Sequence, residues 1–442
     1  MQINLEQARK RAKDLVREGA EPKLADAQRR VARELGYASW PRLVHAVTPP
    51  TAERFLDAAL GDLDDRAREM VERAPQLRDD PWVALCLGAT RGIGDASSPG
   101  GPRGLEPLLY LCRSLVADRP SQGARDLLGR GANPNVGGGE EWTALSAACG
   151  RRRDPDLVRV LLEAGANPND NDSLYHAMEA PLECTQLLFE HGAEANGTNA
   201  LAHALDYDRI EHVRLLLDEG ADPNEVSNLH HAVIRGRSPE FLRLLVERGA
   251  DPARRDESGR TAYAHAVRRG RLDLAQALAE LGSPTEVDAA DELVGAISRG
   301  QRPQQAVDLD DAREVLVDAA MAGALDAVVE LYGTELRGNL GGTLLHHAAW
   351  WGRPDLARRL LDLGADVDAR ADTQWDTPLG WAAVGSRYAV REPSSSLAPR
   401  EANHVAVAEL LLAAGARVEP RDIEMARDPL AAWLTGQDAA AT

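Results

Sequence analysis

Seven times in this chain a leucine-rich stretch runs into a glycine and then a short polar turn. LLGRGANPN ends at Asn135, LLEAGANPN at Asn169, LLFEHGAEAN at Asn196 and LLLDEGADPN at Asn224. LLVERGADP ends at Pro252, LLDLGADVD at Asp368 and LLLAAGARV at Val418. Each reads as a helix end, a glycine free to take positive φ, and a tight polar connection. Two short helices cannot bury their own apolar stripes, so units repeated in this way must stack on one another, and the chain is predicted to be a solenoid.

The unit from Thr343 to Asp368, TLLHHAAWWGRPDLARRLLDLGADVD, has every part. Thr343 can cap a helix through its side-chain oxygen. Leu345, Ala348 and Ala349 form the stripe of a short first helix that Gly352 ends. Pro354 suits the opening turn of a second helix, with Leu356, Leu360 and Leu361 as its stripe and Gly364 as its end. The openings TPLGWAA from Thr377, TLLHHAA from Thr343, TAYAHAV from Thr261, SNLHHAV from Ser227 and WTALSAA from Trp142 resemble the Thr-Pro-Leu-His-x-Ala start of the ankyrin-repeat family. With the endings, the resemblance covers at least residues 105–418. AERFLDAALGD from Ala52 and GLEPLLYLC from Gly104 extend it upstream. It implies an all-α ankyrin-repeat solenoid of about ten or eleven helix-turn-helix units, several of them shortened, with helical caps at both ends.

The spacing is uneven. Gly131 to Gly165 is 34 residues; the steps through Gly192, Gly220 and Gly249 are 27, 28 and 29, and the step to Gly282 is 33. Helices are harder to shorten than turns, so the missing residues are expected to come from the projecting hairpins. The predicted layout is an N-terminal helical cap module (1–48), degenerate repeats (49–103) and repeats with shortened hairpins (104–285). Degenerate repeats follow (286–340, with units at 286–307 and 311–333), then C-terminal repeats (341–418) and a cap and tail (419–442). The Ser- and Pro-rich stretch 385–403 is expected to be an inserted surface loop, with a lid as the alternative.

Residues 1–48 differ from the repeats. LEQARKRAKDLVREG and ADAQRRVARELG read as amphipathic helices, and Trp40 and Pro41 open a third. This resembles the leader found on many bacterial ankyrin proteins. Its expected role is to shield the first repeat. It is locally basic, but no helix rich in base-reading groups follows. The whole chain carries a formal net charge of −19, which argues against a nucleic-acid partner. No apolar run reaches the ~20 residues of a membrane span, and the start lacks an apolar secretory stretch. Cys86, Cys112, Cys149 and Cys184 are widely spaced and read as reduced core residues. A cytoplasmic location is expected.

The position just before the first-helix alanine, which in the ankyrin fold points into the concave groove, reads Tyr110, Ala147, His176, His203, His231, His265, Gly295, Asp318, His347 and Trp381. Residues three or four ahead share that face. They add Glu179, Asp206, Tyr207, Arg235, Arg268, Arg269, Trp350 and Trp351. The candidate binding residues are therefore His176, His203, Asp206, Tyr207, His231, Arg235, His265, Arg268, His347, Trp350, Trp351 and Trp381. The arginines suggest an anion pocket; the tryptophans are either core or stacking surface. His230 and His346, one position earlier, are assigned to loop support.

No metal is assigned, because first helices roughly 10 Å apart do not force histidines to converge on one ion. No cofactor is expected, since the glycine-rich stretches near Gly92 and Gly137 lack the Lys and helix start of a phosphate loop. The leading expectation is a non-catalytic scaffold holding a protein segment or a small anionic ligand. One alternative is an enzyme using His203, Asp206 and His231 as acid/base groups, although no nucleophile motif accompanies them. The other is an adaptor that uses the N-terminal module and the repeats for two partners.

Overall fold

The computed structural model describes residues 5–21, 24–37, 40–61, 63–137, 142–170, 172–302, 308–389, 403–427, 429–431 and 433–434. Among them the regular structure is helical, with isolated bridges such as Arg255 to Thr261 and Arg337 to Thr343. The chain divides into two compact units. One comprises Met1–Pro49, Val233–Leu242 and Pro252–Thr442, the other Pro50–Ala232 and Arg243–Asp251.

The N-terminal segment forms the three expected helices, Leu5–Arg17, Leu24–Glu34 and Trp40–Val47. Ala8, Ala12, Leu15, Ala27, Val31, Ala32 and Leu43 build a small core of their own.

In the unit containing residues 50–232, short first helices pair with longer second helices. Ser173–Ala177 pairs with Leu182–Glu190, and Ala200–Asp206 with Ile210–Asp218. In the other unit Ala262–Arg268 pairs with Leu272–Glu280. The last two pairs have helices of the same lengths, seven and nine residues. What varies is the connection between pairs: residues 191–199 and 219–227 are short, while 248–261 carries a hairpin closed by the Arg255–Thr261 bridge. Between these two pairs the turns take up the difference in step, while the 27-residue step also has a shorter first helix, the five-residue Ser173–Ala177.

The polar turns are linked by a device that the sequence pattern did not suggest. Asn135, Asn169, Asn196 and Asn224 each donate Nδ2–H to the carbonyl of the next helix-ending glycine: Gly165, Gly192, Gly220 and Gly249. Each Oδ1 accepts the N–H of Asn167, Glu194, Asp222 or Asp251 in that next turn. One side chain thus joins each turn to its successor through two hydrogen bonds, each contributing about 1 kcal/mol net.

Three expected boundaries change. The segment 286–307 shows a single helix, Ala289–Ser298, among its described residues. Gly300 takes φ +77, and the polar sequence after it offers no second apolar stripe. The unit at 311–333 is a pair, Leu309–Ala319 and Leu325–Tyr332, joined through a π-helical turn at Ala320–Ala324. The insertion begins later than Gly385. Helix Pro378–Tyr388 continues past it because Ser386 is tied in, donating to the Ala383 carbonyl and accepting from the Arg427 N–H. The remainder, 390–402, lies outside the described residues.

The C-terminal repeats share a core that includes Leu316, Leu345, Leu360, Leu379, Val407 and Leu411, and the tail adds Leu430 and Leu434. Full burial of each such side chain contributes about 1.5–3 kcal/mol. His346 supports the loops, as assigned. Its Nδ1 accepts the Thr343 N–H, so Nε2 carries the proton and donates to the Asp376 carbonyl. Burial pushes His346 and the adjacent His347 down to about 4, and pushes His404 down as well.

These rings fold neutral and unfold near 6.5, so their contribution is full above 6.5 and is lost as pH falls through the folded values. Urea unfolding followed by tryptophan fluorescence is expected to weaken between pH 6.5 and about 4, by up to about tenfold in the folding constant per pH unit per ring. His347→Gln should flatten part of that dependence. An identical pH profile in this variant would remove His347 as a cause.

Candidate functional site

Five of the candidate residues come together in the unit containing residues 50–232. They sit on the first helices Ser173–Ala177, Ala200–Asp206 and Asn228–Ile234 and on the turns that follow. The row begins at the preceding repeat, where helix Ala144–Ser146 runs into a π-helical turn, Ala147–Arg152. A Cβ on Gly150 would stand 2.7 Å from the His176 Cβ and 2.8 Å from the Trp142 ring. Only glycine therefore lets Trp142 stack on His176, with centroids 4.4 Å apart and planes 21° apart.

The rings continue in contact along the repeats. Tyr175 meets His176 edge-on at 5.2 Å and stacks on His203 of the next repeat at 3.8 Å and 10°. Tyr207 meets His203 edge-on at 4.9 Å. Two carboxylates alternate with the imidazoles. Glu179 lies 3.5 Å from His176 Nδ1 and 3.5 Å from His203 Nε2, and it accepts from Arg153 at 2.5 Å. Asp206 lies 3.6 Å from His203 Nδ1 and 2.7 Å from His231 Nε2. Partial burial works against ionisation of Glu179, but the two histidines and Arg153 hold it well below the usual carboxylate range. His203 is buried; His176 and His231 are half-buried.

The remaining candidates fall in the other unit. His265 Nε2 meets Asp256 of its own hairpin at 2.6 Å. Burial opposes it, but Ser258, His265 and the Arg260 N–H hold the Asp256 carboxyl low. Burial pushes the Asp318 carboxyl up, against the pull of Arg269 at 3.0 Å and of Arg235.

The expected open Arg268 is corrected. It is 3% exposed, because Asp291 at 2.5 Å and the Asp311 carbonyl at 2.5 Å draw its guanidinium inward. Trp381 resolves as core, 4% exposed, with its indole N–H donating to Thr373. Trp350 and His347 pack edge-on against it at 6.0 and 5.3 Å. Trp351 is half-buried at the end of the helix Leu344–Trp350.

Sequence reasoning missed Trp142, Tyr175, Arg153 and Gly150. Tyr175 precedes the register histidine by one position and so reads as off the face. It belongs to the row because it reaches the following repeat as well as its own helix.

The row can hold protons and offers aromatic edges and carboxylates. It lacks a thiolate: burial pushes Cys112 and Cys184 up to about 12, and Cys86 and Cys149 are also pushed up. Among the described residues no group of three or more His, Cys, Asp and Glu side chains is placed to hold a metal ion, and no helix is long and apolar enough to cross a membrane.

Residues 156–227 match the family of ankyrin repeats (3 copies), and residues 229–279 and 345–390 match ankyrin repeats (many copies). Among curated proteins, the E3 ubiquitin-protein ligase hecd-1 of Caenorhabditis elegans is 39% identical over 85 residues, 19% of this chain. The chain spans 3% of the length of that relative. Among solved structures, the human ASB11 ankyrin repeat domain is 22% identical with a TM-score of 0.37, over 52% of this chain and 98% of that one. An ankyrin repeat domain from Acinetobacter baumannii AYE is 26% identical with a TM-score of 0.34, over 37% of this chain and 97% of that one.

Proposed function

We propose that this chain, an all-α solenoid of ankyrin repeats, is a non-catalytic scaffold that holds a segment of a partner protein along its first-helix register. The observation that carries the proposal is the unbroken row of His176, His203, Asp206, Tyr207 and His231 with Trp142 and Tyr175. Rings and carboxylates at fixed spacing can read an extended segment residue by residue, and binding surfaces draw most of their energy from such anchors. A protein segment is favoured over a small anion, because Arg268 and Arg269 are engaged by Asp291 and Asp318. A cytoplasmic location is part of the same proposal, supported by four unpaired cysteines.

The test is a photo-crosslinking amino acid at position 207, used in cells, with mass-spectrometric identification of the product. Crosslinks to one protein, lost in His231→Ala, support the scaffold. Loss of an anchor is expected to weaken the partner by about thirtyfold, from ~2 kcal/mol, with little change in melting. A small adduct and no protein crosslink would move the site to a metabolite.

A second reading, the adaptor, is favoured by the separate core of residues 5–47. Deleting residues 1–48 should then leave the repeats folded but remove one partner. Loss of cooperative melting would instead make the module a cap.

A further inference from the structure

His203 lies between two carboxylates that belong to different repeats. Its Nε2 faces Glu179, in the turn after helix Ser173–Ala177, and its Nδ1 faces Asp206 on its own helix. At 3.5 and 3.6 Å these are ion-pair contacts rather than hydrogen bonds: a neutral imidazole has one N–H and turns a lone pair on one of the carboxylates, and only the imidazolium presents an N–H and a positive charge to both. The residue is 8% exposed, which leaves little room for water to supply the missing donor.

The surroundings agree with a charged ring. Tyr175 offers its π face at 3.8 Å. Arg153 attends the other oxygen of Glu179, His176 shares with His203 the oxygen that faces them, and His231 attends the other oxygen of Asp206. The second helix behind, Ile210–Asp218, carries His212, which burial and Arg209 push down to about 4, so it remains neutral where His203 titrates.

We propose that Glu179, His203 and Asp206 form a proton-operated clasp between consecutive repeats, closed while the ring carries both protons and loosened when one leaves for solvent. Deprotonation leaves two carboxylates facing a ring that can satisfy only one of them. Burial alone would lower the pKa of His203, but Asp206 and Glu179 outweigh it and raise it above the ordinary 6.5. A raised folded value means that the contribution is complete below 6.5 and is lost as pH rises through the folded value. The clasp therefore opens on the alkaline side. The proposal stands whether or not the row binds a partner.

The test is a histidine-labelled NMR titration of the full chain, with His203 assigned by the resonance missing in His203→Gln. Its midpoint is expected above that of a histidine peptide, and lower in both Glu179→Gln and Asp206→Asn, which keep the side-chain shapes. Hydrogen exchange, corrected for the intrinsic rate, reads the repeats themselves. Amides of 173–180 and 200–206 should lose about tenfold in protection for each pH unit between 6.5 and the folded midpoint, and Glu179→Gln should narrow that window in step with its lowered midpoint. A wild-type midpoint at or below the peptide value overturns the clasp. So does a raised midpoint with pH-independent protection, because the proton would then not be holding the repeats together.

Discussion

Replacing Asp291 with alanine is expected to destabilise the unit containing residues 252–442 by about 3–5 kcal/mol, the usual cost of leaving a buried charge without its partner. Asp291 is 2% exposed and Arg268 3%. The two meet at 2.5 Å, and Arg260 reaches the same carboxylate at 2.9 Å. Asp311 is the other acid at these arginines, but its side chain is 59% exposed, so water screens most of what it offers. Once Asp291 is gone, Arg268 remains inside with a backbone carbonyl and a solvated carboxylate. Asp291→Asn should fall between wild type and alanine, since it keeps shape and loses charge. The double replacement Arg268→Leu/Asp291→Leu should recover much of the loss, because removing both charges also removes the desolvation term. Urea unfolding of the four proteins reads all of this. A loss under about 1 kcal/mol in Asp291→Ala would mean that Arg268 relaxes to solvent and that the pair is not a buried one.

Arg268 also marks where the sequence stops being legible. Periodicity places a residue on a face, and it is the reason His176, His203 and His231 are expected on one face. Whether a charged side chain on that face stays open depends on residues supplied by later repeats. The acids that capture Arg268 lie at 291 and 311, in segments whose repeat pattern is weak. Trp381 was open to two assignments for the same reason, and packing made it core. The helix ends and trimmed turns were readable because glycine at positive φ is a local requirement; Gly192 and Gly220 sit at φ +89 and +90. The asparagine links were not readable, since Asn is an ordinary turn residue and nothing local shows that its two polar ends meet the next turn. The carboxylates beside His203 lay between these cases. Asp206 was visible at i+3 on the same helix, but Glu179 reaches His203 only once two repeats have stacked.

The break in the histidine register at Gly295 has a steric cause, and it supplies the second large effect. A Cβ at this position would stand 2.2 Å from the Val267 carbonyl oxygen and 3.0 Å from its carbon. Both are backbone atoms of helix Ala262–Arg268, which cannot swing aside as a side chain could. Helix Ala289–Ser298 therefore packs at a distance that only glycine permits, and no histidine could occupy this position. Gly295→Ala gains up to about 1 kcal/mol of helix propensity, but the helices must separate. The overpacking cost of about 1–3 kcal/mol should win, and Gly295→Val should exceed it. Separation would also stretch the Arg268–Asp291 contact, since the acid rides on the displaced helix. Gly295→Ala and Asp291→Ala should therefore cost less together than the sum of their single losses. Gly129→Ala, at a helix end with nothing within 4 Å of the new methyl, serves as the contrast and should be neutral or mildly stabilising. If Gly295→Ala melts at or above wild type, the two helices do not approach this closely, and the missing histidine at 295 needs another explanation.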